Sequence, residues 1–299
     1  MLVQNIVVLT RQPDCHAARR LSAAAQQLKL PLTLLDPHQY YLYSLNGTTQ
    51  VALAGAAVEA RELAVIPRLG SLATESALAA LDHLERCGAW CLNGYAQLLR
   101  LRHKFSALSQ LAAAGLQVPD SAMLRTPNEV GPAVAALGGY PVVLKFIRGS
   151  QGVGVVLASD ESVARSVLEA LNLVQYDVLL QRFYPEAAGS DTRVLVLGGT
   201  ARWAVQRKSR QGGFRSNFHR GGTAVACELT PEIARLAEEA AQLFNLGLAG
   251  VDLIRGPHGL LVLEVNSSPG FETIEHAHGA DVAVEILSYV QRSSNLREH

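Results

Sequence analysis

With 299 residues, 49% of them hydrophobic, the chain carries enough apolar material for two or three compact units and is not a disordered segment. Lys+Arg and Asp+Glu balance at 26 each, so overall charge points to neither a nucleic-acid nor a membrane partner, and no uncharged apolar run reaches membrane-spanning length. The first residues lack the charged start, apolar core and cleavage site of a signal peptide, and a cytoplasmic location is expected.

In chain order, Asn5–Thr10 reads as a buried strand, Ala17–Lys29 as a helix and Pro31–Leu35 as a second strand. Val51–Ala54 and Ala64–Pro67 read as further strands, and Ser71–Cys87 as a helix capped by Ser71. Alternation of this kind predicts a small, mostly parallel α/β domain, and without a G-x-G-x-x-G after the first strand it is no dinucleotide-binding unit. Of the four cysteines, Cys15, Cys87, Cys91 and Cys227, the middle two have the spacing to share a helix face. No neighbouring His or Cys completes a zinc set, and free thiols are expected.

Tyr95–Ala114 reads as one long helix ended by Gly115, with Arg100, Arg102, His103 and Lys104 as a basic cluster on it. A second α/β unit follows: helix Asn128–Leu137, strands Tyr140–Phe146 and Val153–Ala158, helix Glu161–Leu171 and strand Tyr176–Gln181. Direct strand–loop–strand joining makes its sheet at least partly antiparallel. The third unit is expected to hold strands Arg193–Leu197 and Arg202–Gln206, helix Pro231–Phe244 and a hairpin of Ala249–Ile254 with Leu260–Val265. A frayed tail is expected after Arg292.

Three features carry chemistry. Between the second unit's first two strands lies Arg148-Gly149-Ser150-Gln151-Gly152-Val153-Gly154, whose glycines let backbone N–H groups approach phosphate oxygens. Lys145, at the end of the incoming strand, supplies a point charge for a phosphate, and Leu179–Tyr184 has the apolar character of an adenine slot. Secondly, from Thr192 to Cys227 there are seven basic residues and no acidic one: Arg193, Arg202, Arg207, Lys208, Arg210, Arg215 and Arg220. Thirdly, Asp252, Glu264 and Asn266 interrupt the apolar hairpin. Glu264 and Asn266 share a face by alternation, and a turn at Gly256–His258 puts Asp252 opposite Val262, a diagonal step from Glu264. Hard oxygen donors so placed suit Mg²⁺ or Mn²⁺ bound together with phosphates, although solvated strand residues would give the same pattern.

With AVIPRLGS (64–71), PVVLKF (141–146), GSQGVGVVLA (149–158), GGFRSNFHRGG (212–222), AGVDLI (249–254) and LLVLEVNSSPG (260–270), the chain resembles the ATP-grasp ligases, and most closely the RimK-type alpha-L-glutamate ligases that add glutamate to the C-terminus of a small-subunit ribosomal protein. The resemblance implies an α/β (α+β) ATP-grasp fold with a Rossmann-like preATP-grasp domain at 1–96, a central subdomain at 97–184 and a C-terminal subdomain at 185–299. ATP would lie between the last two. It implies two metal ions on Asp252, Glu264 and Asn266. Lys104 and Lys145 would meet phosphates, with the flap residues Gly149, Ser150, Gln151, Gly152 and Gly154. Gln181, Arg182 and Phe183 would form the adenine hinge, Asp191 would meet the ribose, and Arg215, Ser216 and Asn217 would contact nucleotide and substrate. Two positions depart from the pattern: Arg182 stands where the relatives carry Glu, and Gln206 replaces a Glu expected to border the substrate pocket.

The implied chemistry is ATP-dependent amide formation. A carboxylate takes the γ-phosphoryl group, and an amine displaces phosphate from the acyl phosphate, a process in which the protein positions groups and neutralises charge. Arg193 and Arg207, with Arg215 and Asn217, are the residues expected to clamp the reacting groups; the flap and the loop 211–222 are expected lids, and His219 shapes the substrate mouth rather than acting as a base. Glutamate, a peptide or protein C-terminus such as a ribosomal protein, and a homo-oligomeric state are the expected partners. A small-molecule amino-acid or cofactor ligase, and a basic RNA- or ribosome-binding module without catalysis, are the alternatives.

Overall fold

The structure is a computed structural model; it describes residues 5–45, 48–53, 56–70, 73–147, 154–187, 189–209 and 222–295. Near the N-terminus, β1 (Asn5–Leu9) leads through α1 (His16–Leu28) to β2 (Leu32–Leu35). A small antiparallel sheet of β3 (Tyr40–Leu45), β4 (Thr48–Leu53) and β5 (Ala56–Val58) follows. The sequence reading found only the middle of these, because the flanking runs lack the strong apolar periodicity that marks buried strands. The chain then returns through β6 (Leu63–Pro67), α2 (Glu75–Arg86) and β7 (Trp90–Cys91). The main sheet, in the order β2-β1-β6-β7, is parallel throughout, as the alternation predicts.

The expected cap Ser71 lies outside the described residues. The helix instead begins at Glu75, where the Thr74 hydroxyl accepts from the Ala77 N–H at 3.2 Å. That helix stops at Arg86, so Cys87 is its C-cap while Cys91 lies on β7, and the two share no helix face. Cys87 Sγ lies 3.4 Å from His83 Nε2, a neighbour the sequence reading overlooked, and none of the four cysteines is in a disulfide.

The single long helix expected over 95–114 is two helices, α3 (Tyr95–Leu101) and α4 (Lys104–Ala113). His103 breaks it in an extended conformation, and its Nδ1 accepts from the Ser106 N–H at 3.2 Å. The reason lies in packing. Leu98 of α3 is buried in the N-terminal core with Leu81 and Leu84, whereas Leu108 and Leu111 of α4 are buried in a different core. One straight cylinder cannot serve both, and the break puts Lys104 at the start of the second.

The central unit consists of β8 (Ser121–Leu124), α5 (Val130–Ala136), β9 (Val142–Phe146), β10 (Val155–Ala158), α6 (Glu161–Asn172) and β11 (Val178–Arg182). Its sheet runs β10-β9-β11-β8 with antiparallel neighbours, including the edge strand β8 that the sequence reading missed. The last unit contains β12 (Ser190–Leu197), β13 (Thr200–Lys208), β14 (Thr223–Ala226), α7 (Pro231–Leu243), β15 (Leu248–Gly256), β16 (Gly259–Asn266), α8 (Glu272–His278) and α9 (Val282–Asn295). The fraying expected directly after Arg292 does not occur there, since α9 continues to Asn295; residues 296–299 lie outside the described residues.

The five-stranded sheet β14-β13-β12-β15-β16 organises the molecule. On one face Val194, Val196, Val251 and Leu253 pack with α7 residues Ala237, Ala240 and Ala241. The opposite face changes character along its length. At one end Leu195, Leu197 and Leu248 join Phe271, Ile286 and the N-terminal residues Ile6, Val8 and Leu21 in a shared core. At the other end Asp191 and Arg193 continue the same alternation on β12, opposite Arg207 and Asp252. Apolar burial thus locks the N-terminal domain to half of this face and leaves the polar half to the site. Among the described residues no helix is long and apolar enough to cross a membrane.

Candidate active site

The register of the β15–β16 hairpin corrects the sequence reading. Asp252 pairs directly with Glu264, while its neighbour Leu253 pairs with Val262, so a bulge leaves Leu263 without a cross-strand partner. That extra residue converts the diagonal relation into a face-to-face carboxylate pair. Gly250 pairs with Asn266 one alternation further on, putting all three proposed metal ligands on one face. Asn266 Nδ2 donates to the Gly250 carbonyl at 3.4 Å, a bond that does not use its amide oxygen.

Two neighbouring carboxylates on a largely covered sheet need compensating cations. Arg193 supplies a bidentate fork to Asp252, with Nε–Oδ1 and Nη2–Oδ2 both at 2.7 Å. Arg207 does the same to Asp191 at 2.6 and 2.7 Å, and its Nη2 also lies 3.0 Å from Asp252 Oδ2. The result is an ordered row Asp191–Arg207–Asp252–Arg193 across three strands, in which Asp191, Arg207 and Asp252 have side chains only 5–6% exposed. Burial alone would raise the Asp252 pKa, but the two guanidiniums outweigh it and hold the carboxyl below its ordinary range. For Arg207 burial opposes the charge, and the carboxylates of Asp252 and Asp191 prevail, raising its pKa.

The fourth side of the site comes from other units. Lys104, released by the helix break, donates from Nζ to Glu264 Oε1. Lys145 on β9 lies within reach of the same field. Burial chiefly, with help from Lys104, pushes its ammonium down to about 8, against the opposing pull of Glu264, Asp252 and Asp191. Both lysines expected at phosphates therefore face the carboxylate pair. Among the described residues no group of three His, Cys, Asp or Glu gathers to hold a metal unaided. The donors available, two carboxylates and an amide, fit a hard divalent cation that takes its remaining oxygens from nucleotide phosphates.

The adenine hinge residues sit at the end of β11. Gln181 is 2% exposed and its Nε2 donates to Ser121 Oγ at 3.0 Å. The Arg182 backbone N–H is spent on the Asp120 carbonyl at 2.9 Å, and its guanidinium lies 3.5 Å from Asp120 Oδ2. Asp120 thus offsets the altered charge at Arg182, although an exposed pair of this kind is worth little. Phe183 is half-buried beside Tyr184, which packs with Ile254 and Leu261 under the metal-ligand hairpin. Gln206 does not border the Arg207 pocket, because it pairs with Thr192 and Val225 and side-chain alternation turns it to the opposite face of β13.

Gly154 adopts φ +72°, and a Cβ there would lie 2.3 Å from Phe146 Cδ2. A Gly154→Val variant is expected to displace Phe146 at the end of the Lys145 strand, raising the KM for ATP about tenfold or more. Steady-state kinetics with ATP varied checks this; a lowered melting temperature with unchanged KM would make the glycine purely structural. Gly149, Ser150, Gln151, Gly152, Arg215, Ser216, Asn217 and His219 lie outside the described residues. Of the basic run, Arg193 and Arg207 face internal carboxylates and Arg202 lies 3.1 Å from Glu285, which leaves fewer cations for a nucleic-acid surface.

Sequence reasoning missed one residue that shapes this site. Asn93, 3% exposed, donates from Nδ2 to the carbonyls of Leu248 and Ser267, both at 2.7 Å, and its Oδ1 accepts from the N–H groups of Gly247 and Leu248 at 2.8 and 3.2 Å. Ser267 follows Asn266, and Ser268 Oγ donates to the Pro67 carbonyl at 3.2 Å. The N-terminal domain therefore fixes the loop that leaves β16. A lone Asn in a loop gives no sequence signal for such a role.

Family models match almost the whole chain: the RimK PreATP-grasp domain over residues 4–97 and the RimK-like ATP-grasp domain over 101–290. A probable alpha-L-glutamate ligase of Marinomonas sp. (strain MWYL1) is 37% identical over 292 residues, 98% of this chain and 97% of its own. One from Ectopseudomonas mendocina (strain ymp) is 38% identical over 290 residues, 97% and 96% of the two chains. In fold the chain is similar to the ATP-grasp ligase PsnB complexed with minimal precursor, Mg and ADP (TM-score 0.74, 20% identity, 99% of this chain and 100% of that one). It is similar, too, to a RimK domain protein ATP-grasp from Sphaerobacter thermophilus DSM 20745 (TM-score 0.74, 22% identity, 95% and 98%). With both family models matched in sequence order and relatives 37–38% identical over 97–98% of its length, the chain belongs to the RimK-like ATP-grasp family.

Proposed function

We propose that the protein is an ATP- and Mg²⁺-dependent carboxylate–amine ligase that adds glutamate, through an acyl phosphate, to a peptide or protein C-terminus or to another glutamate. The observation that carries this reading is the Asp252–Glu264 pair, compensated by Arg193, Arg207 and Lys104 and facing Lys145. The curated relatives named as probable alpha-L-glutamate ligases support glutamate as the added amino acid.

In this proposal Asp252, Glu264 and Asn266 hold the divalent cations, which neutralise charge on the β- and γ-phosphates when bound. Lys104 and Lys145 contribute point charges to the same phosphates, and the 181–183 segment receives adenine. Asp191 orients the Arg207 fork, since its carboxylate is already spent there. Arg193 and Arg207 bring guanidinium N–H groups to the acyl phosphate, where planar bidentate geometry suits a phosphoryl or carboxylate group. Arg215, Ser216, Asn217 and the loop around them close over substrate, keeping water from the intermediate. Mn²⁺ in place of Mg²⁺, a ribosomal protein as acceptor, a homo-oligomer and a cytoplasmic location belong to the same proposal, as do the three domain boundaries.

The test incubates the protein with ATP, Mg²⁺, each of the twenty amino acids and a glutamate-ended peptide, following phosphate release and product mass. The expected products carry increments of one glutamyl residue and form only with ATP. Extension by a different amino acid would remove the glutamate assignment and keep the ligase; phosphate release without any amide would remove both.

A further inference from the structure

The parallel sheet of the N-terminal domain has a crossover point to which the proposed reaction gives no ligand. In its sheet, β1 connects through α1 to β2 on one side, while β6 flanks β1 on the other, so the chain changes direction between β1 and β6. Parallel sheets bind ligands outside the carboxyl ends of their strands at such a point. Arg68 occupies this one. It directly follows β6, and its N–H donates to the carbonyl of Leu9, the last residue of β1, at 2.8 Å.

Arg68 stands out for what it lacks. Its Nε is buried without a hydrogen-bond partner, and among the described residues no carboxylate is paired with its guanidinium. The group lies 5.9 Å from the ring centroid of Phe271, a fully buried side chain that follows the 267–270 loop. Burial pulls its pKa down to about 10, and the only ionisable neighbour acting against that is Cys15. Cys15 is the N-cap of the 13-residue α1, whose first turn holds no acidic residue and receives no side-chain cap. The start of α1 already meets carboxylates, since His16 lies 2.8 Å from Glu275 Oε2 and 3.8 Å from Glu272 Oε1, so it is the guanidinium with its buried, unpartnered Nε that favours an anion in this corner. The neighbouring Pro67 carbonyl accepts from Ser268 Oγ at 3.2 Å, two residues beyond the ligand Asn266, so this corner adjoins the site.

We infer that Arg68 binds the α-carboxylate of the amino acid whose amine attacks the acyl phosphate. This rests on the ligase reading. ATP phosphates have Lys104 and Lys145 beside the carboxylate pair, whereas Arg68 follows Pro67, whose carbonyl holds Ser268 of the loop that leaves Asn266, so a small amino acid held there by its carboxylate would bring its amine to that loop. A guanidinium forks onto a carboxylate in a plane, and the Phe271 ring, 5.9 Å away, is close enough for a cation–π contact with it.

The experiment compares wild type, Arg68→Gln and Arg68→Lys, with KM measured separately for the amino acid, ATP and acceptor peptide. It repeats the measurement with the α-amide of the amino acid in place of the acid. Arg68→Gln is expected to raise the amino-acid KM on the order of 10- to 100-fold, leave the ATP and peptide KM within about twofold, and abolish wild-type preference for the acid over its α-amide. Arg68→Lys should recover part of that preference. Unchanged amino-acid KM in Arg68→Gln, a parallel rise in the ATP KM, or a rise confined to the acceptor peptide would overturn the assignment. If wild type itself forms no amide with any amino acid, the ligase reading fails and this inference with it; parity between wild type and variant in an active enzyme removes this inference alone. Calorimetric melting temperatures of the variants identify a folding defect, which lowers the rate with every substrate and leaves each KM unchanged, whereas a rise in all three KM values together would count against the assignment.

Discussion

Glu264→Ala is expected to abolish ATP turnover while leaving the fold in place. Glu264 is the exposed member of the carboxylate pair, with a side chain 37% accessible, and its partner is Lys104. A pair this open to solvent contributes within about 1 kcal/mol to stability, so its loss should barely move the melting temperature. The effect on chemistry is of another order. On the proposed reading, removing this carboxylate would delete a ligand from a donor set that has one other carboxylate and an amide, and would leave Lys104 and Lys145 facing the phosphates without the charge that balances them. A drop of at least about a thousandfold in phosphate release is expected, judged by the losses that follow removal of one preorganised electrostatic group at a reacting centre. Phosphate release within tenfold of wild type would mean that the hairpin carboxylates are structural. Glu264→Gln, which keeps shape and one oxygen donor, should fall between the two.

Arg207→Met is expected to give the largest loss of stability. The methionine fills much of the same volume, but Asp191 and Asp252 are then left on a covered sheet with Arg193 as the one remaining cation of the row. Breaking a buried ion pair from one side costs about 3–5 kcal/mol, because a desolvated charge loses its partner. Urea unfolding at neutral pH reads this directly, and a loss under about 1 kcal/mol would show that water already solvates the row. The pH dependence gives a second check. Burial raises the Asp252 pKa, yet Arg193 and Arg207 depress it below the ordinary 3.8, so its contribution is complete above that value and is lost as pH falls toward the folded-state value. The wild-type advantage over Arg207→Met should therefore narrow as pH drops below about 4, and an advantage that stays constant there would place the variant's defect elsewhere.

Much of the architecture was legible in the residues, for local reasons. Strands Asn5–Leu9 and Leu63–Pro67 are short continuous apolar runs that only a covered sheet accommodates. Helix α7 has Thr230 as cap, Pro231 in its first turn and alanines at helical spacing, each a signal that survives without knowledge of the fold. The oxygen donors of the site were legible too, since Asp252, Glu264 and Asn266 interrupt otherwise apolar strands. Where the reading failed, a contact distant in sequence had decided the matter. The split between α3 and α4 follows from two separate cores, and the small β3-β4-β5 sheet holds its strands by pairing rather than by apolar alternation.

The sequence by itself determined which groups are present: hard oxygen donors on a hairpin, lysines and arginines to match them, and a glycine-rich segment. Those follow from composition and from side-chain alternation, which are properties of the chain alone. Only the tertiary structure decided how the charges are paired. A one-residue bulge at Leu263 turns a diagonal relation into the direct Asp252–Glu264 pair, and strand pairing across 59 residues brings Arg193 onto Asp252. The same holds for Lys104, joined to Glu264 across 160 residues, and for Asn93, which binds Leu248 and Ser267 from another domain. A charge in sequence carries no record of its partner. Its energy is set by distance and by how much water has been removed, and both are fixed only when the sheets and domains close on one another.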